Sequence, residues 1–484
     1  MENNIVTKRN NKKLEHEGCL YVFHLLNADG DVKFWRCEHQ HGEFKCRGRI
    51  HTTLNDVVLK TVGVHTCNHS AANVVAQKIT TGIKRRAAET METPAAIRAH
   101  TLQQILTPLV KRVRHEIELP PPVPLTLQEL ELPEQYRIYK RTEEAQELFL
   151  LADSGTYTEN GRDGQQRILI FGRLSFGNWA SEMKYIYADG TFASAPTLFS
   201  QLYVILARRG DWVFPVLHCL LTCKSQSTYE KMFDMVRNRW PTFSPTNASM
   251  DFEQAMVNAL RAKHPQCSIN FCLFHLVRNM KARLTDEQTH RFTTDAGFAQ
   301  AAKMITSLAF VPLEDLTPAL AALEDYLPNE LEGVLDWFII NYVGRLRNNG
   351  TRTRPLFRPE EWSVYERTMN GSDRTNNFAE AYHRTLQHAI GHGHPPIWKF
   401  INILRERQKL IDVDFEHFLA GNTPPLKAKR YREADRRILS ILKRYNQEKA
   451  QPQINDDHQY GQNQNNPNLF IEMLRGISSN YQME

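Results

Sequence analysis

The stretch YIYADGTF, residues 185–192, decides the fold of this chain. Its apolar run is rich in aromatic and β-branched residues and reaches Asp189 and Gly190, and a second apolar run, LFSQLYVILA, follows at residues 198–207. This pattern predicts a buried strand that carries one carboxylate. A buried charge is costly unless it is paired or holds a cation, so Asp189 needs an explanation. It is either a turn aspartate, because Asp-Gly between strands is a common hairpin signal, or a metal ligand.

The sequence after residue 207 alternates apolar runs with amphipathic helical patterns. In order it reads WVFPVLHCLLTCK, STYEKMFDMVRNRW, NASM, FEQAMVNALRAKHP, CSINFCLF and HLVRNMKARL. Three strands, helix, strand, helix, strand, helix describes a mixed sheet with an antiparallel beginning and parallel βαβ units. It is also the element order of the RNase H fold. We therefore expect an α/β protein with an RNase H-like core, a mixed five-stranded sheet flanked by helices.

Three acidic residues occupy the places where such a core would carry metal ligands. Cleavage of a DNA phosphodiester needs an activated nucleophile and a stabilised leaving oxygen, which two divalent cations about 4 Å apart supply when carboxylates hold them. The first acid would lie on strand one, the second just after strand four and the third on a later helix. Asp189, Asp251 and Glu380 have these positions, and we predict that they bind two Mg²⁺ or Mn²⁺ ions.

Each of the later two acids has a structural alternative. Asp251 followed by Gln254, and Asn377 followed by Glu380, have the spacing of a capping box at a helix start. Glu253 is a second choice as ligand in place of Asp251, although an acid in the first turn of a helix is more typically a surface residue.

The N-terminal region has the pattern of a small β-rich domain. Residues 15–70 contain the short strand patterns CLYVFHLL, VKFWRC, FKCRGRIHTTL and VVLKTVGVH. A unit of about fifty residues buries too little surface to be stable without a staple. Cysteine and histidine residues of this region supply the ligand types of a structural zinc site: Cys37, Cys46, His65, Cys67 and His69.

This segment resembles a FLYWCH-type zinc finger, in its Trp-Arg-Cys motif at residues 35–37, its second Cys and its closing VHTCNH. The resemblance implies zinc ligands at Cys37, Cys46, His65 and His69, with Cys67 as the alternative to His65. Scattered surface histidines are the other interpretation. Four basic residues lie beside these ligands and would suit contact with phosphate: Arg36, Lys45, Arg47 and Arg49.

The remaining segments give the predicted domain boundaries. Residues 71–117 form a helical basic segment whose Lys84, Arg85 and Arg86 favour either DNA contact and nuclear targeting or a solvated helix face. Residues 118–133 are a proline-rich linker. The core then runs over residues 134–284, an all-α insertion over 285–365, the C-terminal core helices with Glu380 over 366–446, and a Gln/Asn-rich disordered tail over 447–484.

Composition limits the class of protein. The chain has 484 residues, a formal net charge of +6 and eight cysteines, which suits an intracellular protein that binds metal through thiolates. No apolar run has the length that spans a bilayer, so no membrane association is expected. The modest charge permits a polyanion as partner without requiring one.

Residues from Asp189 to about Leu410 resemble the transposases of Mutator-like elements (MULE). The motifs are ADGTF with LFSQLYVI, P-x-L-x-x-L-L before TYEKMF, MDFEQA, CLFHLVRNM, and TNNFAEAYHR with HPPIWKFI. The resemblance implies a nuclear DDE transposase that cleaves and joins double-stranded DNA as a homodimer or larger assembly. Asp189, Asp251 and Glu380 become its catalytic acids, and Cys272 and His275 match the family's Cys-x-x-His motif, with a structural role favoured over catalysis.

A second function remains open from the sequence. A transposase-derived protein adopted by its host would bind DNA through the finger and regulate transcription or chromatin without cutting. Loss of an acid would favour that alternative, and all three acids are present.

Overall fold

The computed structural model of the protein describes residues 5, 12–41, 45–67, 71–90, 97, 120–142, 144–159, 164–391, 393–454, 460–462 and 466–481. The chain divides into two compact units, Met1–Pro121 and Pro122–Glu484. The division falls inside the segment predicted as a proline-rich linker. The other predicted boundaries stay predictions, and residues 91–96 and 98–117 of the basic segment lie outside the described residues.

The first unit contains an antiparallel sheet of five strands in sequential order. They are β1 (Lys13–His16), β2 (Cys19–Leu26), β3 (Val32–Cys37), β4 (Arg49–Thr53) and β5 (Val58–Val62), followed by helix α1 (Ala71–Glu89). Its small core contains Tyr21, Trp35 and Ile50, and the Trp35 indole N–H donates to Thr52 Oγ1 at 2.9 Å. This unit is the β-rich N-terminal region that the sequence predicted.

The second unit is built on a seven-stranded mixed sheet with the order β16-β15-β12-β13-β14-β11-β8. The strands of this unit before residue 285 are β6 (Ile138–Lys140), β7 (Gln146–Leu148), β8 (Leu150–Asp153), β9 (Tyr157–Thr158), β10 (Gln165–Gln166), β11 (Ile168–Phe171), β12 (Tyr185–Thr191), β13 (Gln201–Arg209), β14 (Trp212–Leu221), β15 (Asn247–Met250) and β16 (Ser268–Phe271). Strand β12 pairs in parallel with β15, and β15 with β16, while the other neighbours are antiparallel. The mixed α/β sheet with an antiparallel beginning is therefore as predicted.

The sheet has seven strands, whereas the sequence predicted five. Strand β11 pairs with β14, with Leu169 opposite Leu220, and β8 pairs with β11 on its outer side. A short apolar run such as RILIF, residues 167–171, does not reveal its pairing partner. All four residues of β11 are buried, so this strand extends the sheet where β14 would otherwise present an unpaired edge.

Helices cover the sheet and make up most of the chain after residue 285. They are α2 (Glu134–Arg137), α3 (Gln226–Arg239), α4 (Gln254–Lys263), α5 (Leu273–Lys281), α6 (Asp286–Thr294), α7 (Ala296–Ser307), α8 (Leu316–Tyr326), α9 (Glu332–Phe338), α10 (Pro359–Trp362), α11 (Tyr365–Met369), α12 (Asn377–Ile390), α13 (Ile397–Leu419), α14 (Lys429–Ala450) and α15 (Pro467–Ser478). Four 3₁₀ segments (Leu174–Glu182, Leu308–Phe310, Leu313–Asp315, Asn329–Leu331), a π-helical turn (Ile339–Val343) and a hairpin of β17 (Pro452–Ile454) with β18 (Tyr460–Gln462) complete the described elements.

Both faces of the sheet are buried, and the alternation along β12 places Asp189. Ala188 belongs to the apolar cluster on one face and Tyr187 to the cluster on the other, which also contains Leu386 of α12 and Phe400 of α13. Because successive strand residues point to opposite faces, Asp189 lies on the face of Tyr187. Helix α12, which carries Glu380, covers that face.

The C-terminal region differs from the predicted disordered tail. Helix α15 packs against α7, α8 and α14, and buries Phe470, Leu474 and Ile477. The Tyr481 hydroxyl donates to the Lys303 carbonyl oxygen at 2.7 Å. The prediction rested on the Gln/Asn-rich composition of residues 451–466. It overlooked the apolar residues with helical spacing that follow directly in the sequence.

Candidate active site and metal clusters

Asp189, Asp251 and Glu380 all line one cleft of about 1820 Å³ in the second unit. Asp189 is in β12, Asp251 directly follows β15, and Glu380 is in the first turn of α12. Because β12 and β15 are adjacent and parallel, the residues at their carboxyl ends lie at the same edge of the sheet. The chain therefore brings three acids from separate elements to one cleft.

The structure does not support the turn and capping alternatives. Strand β12 continues through Thr191, and Gly190 lies opposite Tyr203 inside the ladder, so Asp-Gly is not a hairpin turn. A Cβ on Gly190 would lie 3.1 Å from Gln201 Oε1 and from the Tyr203 ring, which explains the glycine by close packing.

Neither Asp251 nor Glu380 is the N-cap residue of a helix. Helix α4 begins at Gln254 with Glu253 as its N-cap, so Asp251 lies outside its cap. Helix α12 has Asn376 as its N-cap, and no side-chain cap hydrogen bond forms there. Helix capping therefore does not account for Asp251 or Glu380.

Burial and mutual repulsion favour the protonated forms of these acids. Burial, followed by the charges of Asp251 and Glu380, raises the pKa of Asp189 to about 8. Burial raises the pKa of Glu380 to about 7, against the opposing effect of Arg384 and Arg278. Burial also raises the pKa of Asp251. A bound cation would reverse this preference, because it stabilises the ionised carboxylates.

Two carboxylate oxygens of the cleft are suited to a cation. Asp251 Oδ1 and Glu380 Oε1 are buried atoms that accept no hydrogen bond from any described residue. Oxygen donors of this type are the ligands that Mg²⁺ and Mn²⁺ prefer, so the three acids fit a hard divalent ion. Their oxygens do not all lie within 4.8 Å of one another.

Glu253 is a fourth acid of the same cleft. It accepts a hydrogen bond from the Tyr229 hydroxyl at 2.7 Å and lies 4.0 Å from the Lys224 ammonium. Its carboxylate therefore already has two partners, whereas Asp251 keeps one buried oxygen, Oδ1, without a hydrogen-bond partner among the described residues. This difference favours Asp251 over Glu253 as the second metal ligand.

Two features of the site, a buried asparagine and the burial of a histidine near Glu380, were not predicted from the sequence. The Asn376 side chain is fully buried and donates to the Ala188 carbonyl oxygen at 3.0 Å, while its backbone N–H donates to Cys272 Sγ at 3.1 Å. It therefore joins the strand of Asp189 to the start of the helix of Glu380. The two adjacent asparagines of TNNFAE were the available signal, but the sequence does not reveal which of them is buried.

His383 is the second. The sequence places it on the polar side of α12 near Glu380, yet it is buried, with Nε2 at 3.6 Å from Asp189 Oδ2. Burial lowers the pKa of His383 to about 4. The imidazole is thus neutral at pH 7 and contacts the central acid of the site.

The predicted Cys-x-x-His pair also lies at this cleft. Cys272 directly follows β16, and His275 is in the first turn of α5. Cys272, His275 and Glu380 each offer a ligand atom, and these three atoms lie within 4.8 Å of one another.

A second Cys/His cluster is in the first unit. Ligand atoms of Cys37, Cys46, His65 and Cys67 lie within 4.8 Å of one another, so both residues between which the sequence left a choice are present. His69 lies outside the described residues. Cysteine and histidine ligands in this number suit tetrahedral Zn²⁺.

Hydrogen bonds within the first unit prepare this cluster for a metal. His65 Nδ1 lies 3.4 Å from Cys46 Sγ, and its Nε2 is 2.8 Å from the Tyr21 hydroxyl, which orients the ring. Although burial raises the pKa of the Cys46 thiol, backbone hydrogen bonds from Gly48 and Thr66, together with side-chain hydrogen bonds from Cys67 and Cys37, outweigh it and bring that pKa to about 6. One thiolate is therefore present at neutral pH.

The predicted DNA-contacting residues are on the surface of the first unit. Lys45 and Arg47 are exposed, and Arg36 lies opposite Arg49 in the β3–β4 ladder, both half-buried. Lys84 and Arg85 are exposed on α1, and Arg86 is in its last turn. These positions are compatible with phosphate contact, and the assignment stays a prediction.

A mixed α/β core with three acids at one cleft, together with a separate β-rich unit with a Cys/His cluster, defines a two-unit protein with candidate metal sites. Comparisons with known families identify the units more closely. Residues 185–279 match the family model of the MULE transposase domain, and residues 5–69 match that of the FLYWCH zinc finger domain. The resemblances predicted from the motifs are confirmed, and the core is transposase-like. Glu380 lies outside both matched ranges.

Other comparisons add little. The solved structure described as "Drosophila P element transposase strand transfer complex" aligns with 69% of this chain and 91% of that chain, at 11% identity and a TM-score of 0.28, which is too low to carry an argument. No curated protein matches the chain. Among the helices of the described ranges, none is sufficiently long and apolar to cross a membrane.

Proposed function

We propose that the protein is a DNA transposase of the Mutator-like class with an RNase H-like core, which cleaves and joins double-stranded DNA with Asp189, Asp251 and Glu380 as its metal-binding acids. The observation that carries this proposal is the convergence of the three acids, from two parallel strands and a covering helix, on one cleft of a chain that matches the MULE transposase domain. The central strand order β16-β15-β12-β13-β14 is the order expected for an RNase H-like core.

The acids would hold two Mg²⁺ or Mn²⁺ ions, which when bound supply an activated nucleophile and stabilise the departing 3′ oxygen. The chain itself contributes the positions of the acidic side chains. Strand β12 fixes Asp189 inside a buried ladder, and Asn376 ties that strand to the helix of Glu380. In the proposed reaction, hydrolysis at the transposon end frees a 3′ hydroxyl group, and this hydroxyl then displaces a 3′ oxygen of the target DNA.

Cationic side chains along the same cleft would contact the DNA backbone. Arg278, Arg384 and Arg436 line it and are exposed, and Lys224 lies at its edge above the Phe192 ring. Arginine and lysine bind phosphate oxygens without reading the sequence. The basic residues of the first unit would provide further DNA contact, and its Cys/His cluster would hold a structural Zn²⁺. Function on chromosomal DNA implies a nuclear location, and joining two ends implies a dimer or larger assembly.

Cleavage of DNA tests the proposal. The full chain and the variant Asp189→Asn are incubated with DNA carrying candidate terminal repeats and Mg²⁺ or Mn²⁺, and Asp414→Asn, an exposed acid of the same cleft, is the control. We expect cleavage by the parent and by the control, and a loss of at least about 1000-fold in Asp189→Asn. Sequence-specific binding without cleavage by any of the three would favour the host-adopted regulator instead.

A further inference from the structure

Cys272, His275 and Glu380 form a compact cluster that the proposed cutting reaction does not require. Their ligand atoms lie within 4.8 Å of one another, which the oxygens of Asp189, Asp251 and Glu380 do not. A thiolate, an imidazole and a carboxylate are a set that Zn²⁺ or a similar borderline ion prefers, whereas Mg²⁺ prefers oxygen alone. The cluster therefore differs in chemistry from the three acids.

The cluster is built on rigid elements. Cys272 is the residue between β16 and α5, His275 is one turn further along α5, and Glu380 comes from α12 on the other side of the cleft. The backbone N–H of Asn376 donates to Cys272 Sγ at 3.1 Å, so the sulfur is oriented from the same segment that leads into Glu380. Donation to a ligating sulfur is the kind of outer contact that fixes a metal ligand.

The polar atoms of this cluster lack partners that would explain them otherwise. His275 Nδ1 and Glu380 Oε1 are both buried, and neither has a hydrogen-bond partner in the part of the chain that the structure describes. A buried polar atom without a partner costs about 1–3 kcal/mol, which coordination to a metal would offset. The side chains of His275 and Glu380 are only half-buried, so an ion can reach them from the cleft.

We propose that Cys272, His275 and Glu380 form a second zinc site, separate from the cluster of the first unit, with its fourth position open to water or another ligand. A consequence follows that rests on the proposed function. Because Glu380 belongs to both sets, Zn²⁺ held here would withdraw it from the Mg²⁺ or Mn²⁺ ions, and micromolar Zn²⁺ would inhibit cleavage. Zinc binding itself does not depend on that activity.

The zinc content of the full chain, measured at equilibrium with micromolar free Zn²⁺, tests this site. We expect two zinc ions per chain in the parent, one in Cys272→Ser and in His275→Ala, and one in the double variant Cys37→Ser/Cys46→Ser. Cys267→Ser is the matched control, since Cys267 is also buried and belongs to neither cluster, and it should retain two.

Two results would overturn the proposal. One is a parent that holds a single zinc ion, which the double variant Cys37→Ser/Cys46→Ser loses. This result does not depend on the folding of any variant of the second unit. The other is two zinc ions retained by both Cys272→Ser and His275→Ala. Either result leaves the proposed DNA cleavage untouched, and absence of cleavage would leave the zinc counts unchanged, so the two proposals fail separately.

Discussion

Asn376 shows how a single buried side chain positions the site. Its amide donates to the carbonyl oxygen of Ala188, the residue before Asp189, and no solvent reaches it. Removal of this amide would remove a buried hydrogen bond next to the central acid.

We therefore predict that Asn376→Ala lowers the free energy of unfolding by about 1–3 kcal/mol and weakens cleavage, because Asp189 and Glu380 lose a common support. Denaturant unfolding and the cleavage assay measure the two effects. The neighbouring Asn377 is exposed, so Asn377→Ala is the control and should leave stability unchanged. Equal stability of the two variants would refute the positioning role.

Gly48 gives a corresponding prediction for the first unit. A Cβ at this position would lie 2.5 Å from His65 Cε1, so Gly48→Ala must displace the imidazole from the cysteines. We expect the affinity of the cluster for Co²⁺, followed by thiolate-to-metal absorption, to fall at least about tenfold. Gly333→Ala, where nothing lies within 4 Å of the added carbon, should bind as the parent does. Unchanged affinity in Gly48→Ala would exclude His65 as a ligand.

Among the elements, α15 is the one that lies in a segment predicted as disordered from its composition. Leu474 is fully buried against the helices of the second unit, so Leu474→Ala should lower the free energy of unfolding by about 2–5 kcal/mol. Leu419→Ala, at a leucine that is 59% exposed, should change it by less than about 0.5 kcal/mol. The measurement is denaturant unfolding followed by tryptophan fluorescence. If Leu474→Ala had the same free energy of unfolding as the parent, the result would support the predicted disorder of this segment.

The elements around the site were largely predictable, and their partners were not. The alternation of apolar runs and amphipathic helices gave β12 to β16 and the helices between them, because each pattern is local. Strands β8 and β11 were missed as sheet members because pairing is set by contacts distant in sequence. The burial of His383 was missed for the same reason: its neighbour Asp189 is 194 positions earlier in the chain.

On the scale of the whole molecule, the acids make stability depend on pH. The pKa of Asp189 is about 8 in the folded protein against an ordinary value of 3.8, so the folded state holds a proton that the unfolded chain releases. The stability of protein without Mg²⁺ or Mn²⁺ should therefore fall as the pH rises from about 4 to about 8.

The variant Asp189→Asn removes this titration. We expect it to be more stable than the parent at pH 8 by more than about 1 kcal/mol without added Mg²⁺ or Mn²⁺, with the difference shrinking toward pH 4. Thermal unfolding at several pH values measures the effect, and Asp211→Asn, an exposed acid, is the control. A destabilised Asp189→Asn at pH 8 would show that the carboxylate is stably ionised by a partner within the protein.

The central claim is that Asp189, Asp251 and Glu380 act as one metal-binding set, and Mn²⁺ binding by the full chain tests it most directly. Electron paramagnetic resonance counts free Mn²⁺ during titration of the parent, Asp189→Asn, Asp251→Asn, Glu380→Gln and the control Asp414→Asn. We predict that the parent and the control bind Mn²⁺, and that each of the three variants loses at least about tenfold in affinity. Parent-like binding by all three variants, or no Mn²⁺ binding by the parent, would contradict the claim.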